Sequence, residues 1–529
     1  MQLFRLLSLV FVCQLSLFSC TESTPEESEV AVSEATMKSE PHRPNFHFTP
    51  PGKWMNDPNG MVYYEGEYHL FYQHYPDSTV WGPMHWGHAV SKDMVNWEHL
   101  PIALYPDSLG YIFSGSAVID WNNSSGFGKE GRPPMVAMFT YHNMEGEQAG
   151  REDYQYQGIA YSNDKGRTWT KYSGNPVIPN PGIKDFRDTK VIWDATREQW
   201  LMVLAAWDKV IFYASTDIKN WTKLSDFGQH YGAHGGVWEC PDFFPMTVKG
   251  TDTQKWVLLL SLNPGGPNGG SATQYFVGDF DGKTFTLDPA FAEDVAVPEG
   301  EQGNPSQGIW LDYGRDNYAG VTWSDAPDNR RLFMGWMSNW NYAQVVPTAS
   351  WRSAMTLPRE LSLVGTESGY RLLTPPVKEL ESLRSTRVEI PAAGSIPFYE
   401  TGTELVLEFA LSAENGTAVI ELRNTLGEVY QIGFNLESNQ FFSDRTHAGK
   451  SDFSELFASN IHYAPRASSN PKLKMHLYFD VASAELFADG GSTNITDIFF
   501  PNADFSEAKL ILEGGVKLVK GEAFSLFGG

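Results

Sequence analysis

Three acidic residues stand in short segments that also carry aromatic residues, Pro or Gly. Asp57 lies within WMNDPNG, Asp188 ends the triplet FRD, and Glu239 lies within WECPD. Two carboxyl groups that flank a bond between sugars can cleave it, one acting as nucleophile or base and the other as acid. If these segments meet in the folded chain, their residue types suit hydrolysis of a glycosidic bond.

The three carboxyl groups are expected to differ in role. We expect Asp57 to be the nucleophile, because the Pro and Gly that follow it favour a rigid turn. Glu239 would act as acid and then as base, while Asp188 would bind substrate hydroxyls and balance the charge of the transition state. Arg187 is expected to keep Asp188 ionised. Taken singly, the segments also fit a turn and a buried ion pair.

A recurring phrase indicates how such distant residues could converge. Three strand-like runs are followed by Ser, then Asp with Gly or Asn, then Trp, and a fourth is followed by a degenerate copy, GDFDGKTF. The closing aromatics are Trp97, Trp169, Trp221 and Phe285. Their spacings of 72, 52 and 64 residues are typical of four-stranded propeller blades with variable loops. A fifth unit fits residues 308–351. Unrelated hairpins with similar turn chemistry are the alternative.

The candidate reactive residues alternate along the chain with the copies of this phrase. Asp57, Ser114, Asp188 and Glu239 are separated by 57, 74 and 51 residues, and each precedes one copy. Equivalent strands of successive blades line the central channel of a propeller. Residues that recur once per blade are therefore expected to share one pocket.

Residue composition and the pattern of apolar runs and turn residues define the predicted domains. The 529 residues include 48 Gly and 32 Pro and are only 19% charged, which favours strands and turns. We predict an all-β chain, with a five-bladed propeller at 43–365, a linker at 366–385 and a β-sandwich at 386–529. The sandwich is indicated by short apolar runs between turn residues.

The amino terminus is typical of an exported lipoprotein. Residues 1–20 read as a signal peptide that ends at Cys20, the predicted site of lipid attachment, and 21–42 read as an acidic flexible tether. This predicts anchoring in the bacterial cell envelope, on its periplasmic or outer surface, with no other membrane contact. An ordinary cleaved signal peptide is the alternative.

Charge and metal-ligand patterns argue against other partners. A net charge of -25 repels nucleic acid and favours a neutral substrate. The 13 His are scattered, and no paired Cys or HExxH motif occurs, so neither a metal nor another cofactor is expected. The oligomeric state is left open.

Several motifs resemble glycoside hydrolase family 32, which contains levanases, inulinases and invertases. They are WMNDPNG, FSGS, FRD and WECPD, with NPGGPNGGSATQYFVGDFDG and WRSAMTLPREL further along. The resemblance implies a five-bladed propeller followed by a β-sandwich, and cleavage of β-fructofuranosyl bonds with retention through a covalent fructosyl-enzyme. It also implies that Asp57, Asp188 and Glu239 are the nucleophile, stabiliser and acid/base.

The resemblance further implies a set of residues that line the fructosyl subsite. These are Asn56, Gln73, Trp81, Phe113, Ser114, Arg187 and Trp340. Their amide, hydroxyl and guanidinium groups suit sugar hydroxyls, and their rings suit sugar C–H faces. Thr189 departs from the family, which usually has Pro at that position.

The leading interpretation is an exo-acting β-fructosidase that acts on levan, inulin and possibly sucrose. An endo-acting levanase is the enzymatic alternative, and a non-catalytic fructan-binding propeller is the alternative of another class. A propeller hydrolase for arabinan is disfavoured because its motifs differ. The preference between β-2,1 and β-2,6 linkages is not predicted.

Overall fold

The structure is a computed structural model that describes residues 40–367 and 369–527. The predicted signal peptide, Cys20 and most of the predicted tether lie outside these residues. Within the described part of the chain, no helix has both the length and the apolar character needed to cross a membrane.

The first four propeller blades are four-stranded antiparallel sheets that follow one another along the chain. Their middle strands are buried almost throughout and are rich in aromatic and β-branched residues, which suit a pleated, packed surface. The strands are β1 (Lys53–Tyr64), β2 (Glu67–Tyr75), β3 (His85–Ser91), β4 (Trp97–Leu104), β5 (Tyr111–Ile119), β6 (Met135–His142), β7 (Gln155–Ser162), β8 (Thr170–Lys171), β9 (Phe186–Asp194), β10 (Gln199–Ala206), β11 (Lys209–Ser215), β12 (Thr222–Phe227), β13 (Val237–Thr247), β14 (Gln254–Asn263), β15 (Ala272–Phe280) and β16 (Phe285–Leu287).

The fifth blade closes the ring and is longer in sequence than predicted. Its segment comprises β17 (Tyr318–Thr322), β18 (Arg331–Met337), β19 (Trp351–Arg352), β20 (Ala354–Met355), β21 (Arg359–Thr366) and β22 (Gly369–Leu373). β19 pairs in parallel with β1 of the first blade, which joins the two ends of the propeller. Because β21 and β22 form the outer strands of this blade, the propeller extends to Leu373, past the predicted end at residue 365.

The recurring phrase forms the turn before the outermost strand of a blade. In the first copy Ser91 Oγ accepts a hydrogen bond from the Met94 N–H at 2.8 Å, Asp93 accepts from the Asn96 N–H at 2.8 Å, and the Trp97 indole donates to the Met94 carbonyl at 3.2 Å. Such bonds from Ser and Asp side chains to nearby backbone groups fix a tight turn. The prediction of repeated blades is confirmed.

The C-terminal β-sandwich is also confirmed. Its strands are β23 (Arg384–Glu389), β24 (Gly394–Ile396), β25 (Thr403–Arg423), β26 (Val429–Asn435), β27 (Gln440–His447), β28 (His462–Pro465), β29 (Lys472–Asp480), β30 (Ser483–Ala488), β31 (Thr493–Ile498) and β32 (Glu507–Leu526). β25 and β32 pair along most of their length, and one half of β25 also pairs with β29 while the other half pairs with β26. These two long strands therefore connect both layers.

Helical structure is confined to short connections among the described residues. The α-helices are Met144–Gln148 and Pro289–Val295, and the 3₁₀ turns are Pro305–Gln307, Pro327–Asn329 and Lys378–Leu383. The first α-helix lies between β6 and β7, and its residue Glu147 lines a cavity in the propeller.

Candidate active site

The innermost strand of every blade has a β-bulge at the same level. One extra residue is inserted against the neighbouring strand between Met55 and Pro58, Ile112 and Gly115, Arg187 and Lys190, Glu239 and Asp242, and Tyr318 and Val321. A bulge bends its strand and turns side chains away from their regular alternation. Five bulges at one level therefore direct side chains from all five blades towards the channel.

These side chains surround a cavity of about 200 Å³. All ten residues predicted for the site line it, namely Asn56, Asp57, Gln73, Trp81, Phe113, Ser114, Arg187, Asp188, Glu239 and Trp340. The structure brings them together, while their individual roles stay predictions. A larger cavity of about 1440 Å³ lies at the other end of the inner strands and contains none of them.

Two hydrogen-bond donors orient the carboxylate of Asp57. Ser114 Oγ donates to its Oδ2 at 2.6 Å, and Asn56 Nδ2 donates to its Oδ1 at 2.9 Å. Asn56 is itself fixed, because its Oδ1 accepts from the Trp54 indole at 2.7 Å. Charge-assisted hydrogen bonds of this kind hold a carboxylate in one orientation.

Cys240 connects Asp57 with Asp188. Its backbone N–H donates to Asp188 Oδ2 at 3.0 Å, and its Sγ lies 3.4 Å from Asp57 Oδ2 and 3.7 Å from Asp188 Oδ2. Burial raises the pKa of the Cys240 thiol, and the neighbouring carboxylates raise it further, so the sulfur keeps its proton. Asp188 and Cys240 have φ angles of 64° and 46°, a strained left-handed backbone that is often found at functional sites.

Arg187 lies closer to Glu239 and Asp185 than to its sequence neighbour Asp188. Its Nη2 lies 2.9 Å from Glu239 Oε1 and its Nη1 lies 2.5 Å from Asp185 Oδ1, whereas its Nε is 3.7 Å from Asp188 Oδ2. Burial raises the pKa of Asp188 to about 7, with Arg187 opposing and the charges of Glu239 and Asp57 adding to the rise. Arg187 therefore favours the ionised form of Asp188, but it does not outweigh burial and the charges of Glu239 and Asp57.

Tyr318 is a site residue that the sequence analysis missed. Its hydroxyl donates to Glu239 Oε2, so both oxygens of Glu239 have a partner. Tyr318 lies 79 residues after Glu239 and just before the bulge of the fifth blade. Extending the spacing of the reactive segments by one more blade would have found it.

Aromatic rings form the walls of the cavity. Trp340 stacks on Trp54 with ring centroids 5.8 Å apart, and Trp81 meets Phe113 edge to face at 6.0 Å. Gln73 donates to Asn59 at 2.7 Å, which fixes its amide at the cavity surface. Such rings and amides are suited to the apolar faces and hydroxyls of a sugar.

Thr189, at the position where the family usually has Pro, forms a hydrogen bond that Pro could not. Its hydroxyl donates to the Met138 carbonyl of the neighbouring blade at 3.1 Å. The unusual residue thus adds a bond between blades, and both Arg187 and Asp188 still reach the cavity. Over residues 40–367 and 369–527, no group of three or more His, Cys, Asp or Glu side chains is arranged to hold a metal.

Comparison with known proteins agrees with this architecture. The glycosyl hydrolases family 32 N-terminal domain matches residues 47–376, and the family 32 C-terminal domain matches residues 377–525. A levanase of Bacillus subtilis is 47% identical over 499 residues, covering 92% of this chain and 70% of that protein. An extracellular exo-inulinase of Aspergillus awamori is 39% identical over 507 residues, covering 90% and 93% of the two chains.

Solved structures of the same kind superpose over nearly the whole chain. The exo-inulinase from Aspergillus awamori has a TM-score of 0.83 at 36% identity and covers 93% of this chain and 99% of its own. The β-fructofuranosidase from Schwanniomyces occidentalis in complex with fructosyl-erythritol has a TM-score of 0.82 at 30% identity, covering 94% and 100%. With five bulged blades around one acidic cavity, and with both of its domains matched, this chain belongs to glycosyl hydrolase family 32.

Proposed function

We propose that this protein is an exo-acting β-fructosidase that releases fructose from the non-reducing ends of levan or inulin and also cleaves sucrose. The carrying observation is the cavity of about 200 Å³ into which Asp57, Asp188 and Glu239 all project. This volume is below the roughly 300–1,000 Å³ of a site for a drug-sized ligand, so it suits one sugar ring. A terminal unit fits such a cavity better than the middle of a polymer does.

In the first step, Asp57 attacks the anomeric carbon of the terminal fructosyl unit and forms an ester bond with it. The bond from that carbon to the glycosidic oxygen breaks, and Glu239 donates a proton to the departing oxygen. Ser114 and Asn56 keep Asp57 oriented for attack. The shortened chain, or glucose in the case of sucrose, then leaves as the alcohol.

In the second step, water replaces the leaving group. Glu239 takes a proton from the water as its oxygen attacks the anomeric carbon, and the ester bond to Asp57 breaks. Fructose leaves with its anomeric configuration retained, and Glu239 regains the proton that it gave. Asp188 binds fructosyl hydroxyls and balances the positive charge that develops on the ring.

The remaining predicted residues form the subsite for the fructosyl ring. Arg187 and Gln73 present donors to its hydroxyls, and Trp81, Phe113 and Trp340 provide apolar walls. Arg187 has a second function in this proposal, because its contact with Glu239 also sets the position of the acid/base.

Chromatography of the products from levan, inulin and sucrose over time tests the proposal. Free fructose as the first product supports exo action, whereas oligosaccharides that precede fructose would indicate an endo-acting levanase. Binding of levan by the wild type without any hydrolysis would indicate a fructan-binding propeller. The same time courses report the preference between linkages.

We also propose that the protein is exported and anchored through a lipid on Cys20. The support is the apolar run before Cys20, the acidic segment after it, and the extracellular character named for the Aspergillus relatives. Metabolic labelling with a fatty acid should mark the wild type and not Cys20→Ser. Equal labelling of both proteins would contradict the anchor.

A further inference from the structure

Glu147 and His142 line the cavity but have no part in the proposed reaction. Glu147 lies on the short helix between β6 and β7, which is capped by Asn143 Oδ1 accepting from the Gly146 N–H at 2.8 Å. His142 ends β6 and stacks on Phe113 with ring centroids 4.2 Å apart. The pair thus belongs to the second blade, beside Phe113 of the predicted subsite.

The exposed fraction of each side chain indicates how deep it lies in the cavity. The exposed fraction is 5% for the side chain of Asp188, 18% for that of Glu239 and 43% for that of Glu147. The reacting groups therefore lie deep, and Glu147 lies at the mouth. When a fructosyl unit fills the deep part, the sugar attached to it extends towards the mouth, where Glu147 lies.

The proton on His142 can be assigned from its neighbours. Arg187 Nη1 lies 3.4 Å from Gln155 Oε1, and a guanidinium can only donate, so the amide oxygen faces Arg187. The amide nitrogen then faces His142 Nδ1, 3.2 Å away, and donates to it. Burial lowers the pKa of His142 to about 3, which keeps the ring neutral with its proton on Nε2.

This Nε2–H lacks a hydrogen-bond partner among the described residues although His142 is only 3% exposed. Glu147 Oε2 is 3.1 Å away but is not aligned to accept from it. Over residues 40–367 and 369–527, the carboxylate of Glu147 accepts no hydrogen bond from another residue either. A buried N–H without a partner is unfavourable, and an adjacent carboxylate oxygen is a strong acceptor.

We propose that Glu147, paired with His142, determines specificity by binding a hydroxyl of the sugar that leaves. A hydroxyl accepts one hydrogen bond and donates another, so it complements an N–H next to a carboxylate. The inference rests on the proposed function, since it assigns the leaving-group side of that same cavity. It predicts that substrates whose leaving group carries sugar hydroxyls depend on Glu147, and that other fructosides do not.

Two substrates separate this role from a general structural one. Sucrose or an inulin-type trisaccharide has a sugar leaving group, whereas para-nitrophenyl β-fructofuranoside has a leaving group without hydroxyls. We expect Glu147→Gln to lower kcat/KM for the sugar substrates by roughly tenfold or more, the value of a hydrogen bond to a charged group. Glu147→Ala should lower it at least as much. The kcat/KM for the aryl fructoside should stay close to that of the wild type.

Glu145→Gln is the matched control, because Glu145 is exposed on the same helix and does not line the cavity. It should change neither value. An unchanged ratio of the two kcat/KM values in Glu147→Gln, whether both fall alike or neither falls, overturns the inference while the wild type remains an active fructosidase. Failure of the wild type to hydrolyse either substrate would instead overturn the proposed function.

Discussion

Two buried clusters of charged side chains differ in how completely their charges are paired. The first lies between the propeller and the sandwich. Arg359 Nη2 is 2.7 Å from Asp312 and 2.8 Å from Glu485, and His47 is 2.7 Å from Asp480 and 3.0 Å from Glu485. Although burial alone would lower it, the hydrogen bonds with Asp480 and Glu485 raise the pKa of His47 to about 9. The contacts of Glu485 with His47 and Arg359 outweigh burial and lower its pKa.

The second cluster is the cavity of the proposed active site. Its acidic lining residues are Asp57, Glu147, Asp185, Asp188 and Glu239, and Arg187 is the one Arg or Lys side chain among its described lining residues. The pKa of Asp188 therefore moves upwards, opposite to that of Glu485 in the domain interface. The excess of acidic groups is only partly offset by neutral donors such as hydroxyls and amides.

The difference indicates what each cluster does. A buried carboxylate with a nearby cation stays ionised and holds its partner in place, so breaking the pair leaves a costly isolated charge. A carboxylate that shares too few cations, as Asp188 does, retains affinity for a proton, and perturbed pKa values of this kind are typical of active sites. The interface should therefore control stability, and the cavity should control activity.

Replacing the proposed nucleophile should give the largest effect and should spare stability. We expect Asp57→Asn to lower kcat by about ten-thousand-fold or more, as removal of a catalytic nucleophile does in other hydrolases. The free energy of unfolding should be unchanged or higher, because one charge is removed from a crowded site. Activity assays with levan and urea denaturation check both parts. A variant with substantial activity would remove Asp57 from this role.

Breaking the interface should have the opposite result. Arg359→Met leaves Asp312 and Glu485 without their cation, which should lower the free energy of unfolding by about 3–5 kcal/mol. The kcat of the folded protein should not change. Urea denaturation measures the loss, with Arg387→Met as the control, because Arg387 pairs with Glu522 at the surface and should matter little. Equal stability of the two variants would contradict the assigned function of the interface.

The interface should also make stability depend on pH. Because folding raises the pKa of His47 from 6.5 to about 9, its contribution is complete below pH 6.5 and is lost as pH rises through 9. The loss should reach a few kcal/mol, since each pKa unit corresponds to about 1.4 kcal/mol. Asp188, whose folded pKa is about 7, exerts its own effect on stability between pH 3.8 and 7, so the range from 7 to 9 chiefly reports His47.

Urea denaturation at intervals across that range provides the measurement. His47→Gln cannot be protonated, so its stability should be lower below pH 7 and should change much less between pH 7 and 9. A wild type whose unfolding free energy stays constant over this range would show that His47 does not carry the charge in the interface.

The features that could be predicted from the sequence are those set by local chemistry or by regular spacing. Turns such as that of Ser91, Asp93 and Trp97 are fixed by bonds between near neighbours, so four of the blades could be counted from their turns. The spacing of Asp57, Asp188 and Glu239 likewise predicted a common pocket because a propeller places equivalent strands around one channel.

What could not be predicted depends on contacts between distant segments. The partner of Arg187 is decided by how the third and fourth blades meet, and no local pattern shows that it binds Glu239 rather than its neighbour Asp188. His142 and Glu147 are close in sequence, but their position in the cavity depends on how the second blade meets the others. The predicted propeller boundary at residue 365 is too early because the outermost strand of the fifth blade, β22, lies beyond it at Gly369–Leu373.

The smallest expected effect concerns Tyr318, a neutral donor that partly compensates the excess of acid in the cavity. Tyr318→Phe removes the hydroxyl that donates to Glu239 and leaves the aromatic ring in place. We expect kcat to fall by roughly tenfold, because a hydrogen bond to a charged group is worth about 1.5–3 kcal/mol and Arg187 still holds the other oxygen. Kinetics with sucrose measure this loss.

Tyr141→Phe is the matched control for that variant. Tyr141 also donates to a carboxylate, Asp107 at 3.0 Å, but it lies outside the cavity in the second blade. It should lower stability without changing kcat, whereas Tyr318→Phe should lower kcat with little change in stability. If both variants lost stability and kept their activity, the hydroxyl of Tyr318 would belong with the structural contacts of the interface, and the contrast between the two clusters would rest on the carboxylates and Arg187 alone.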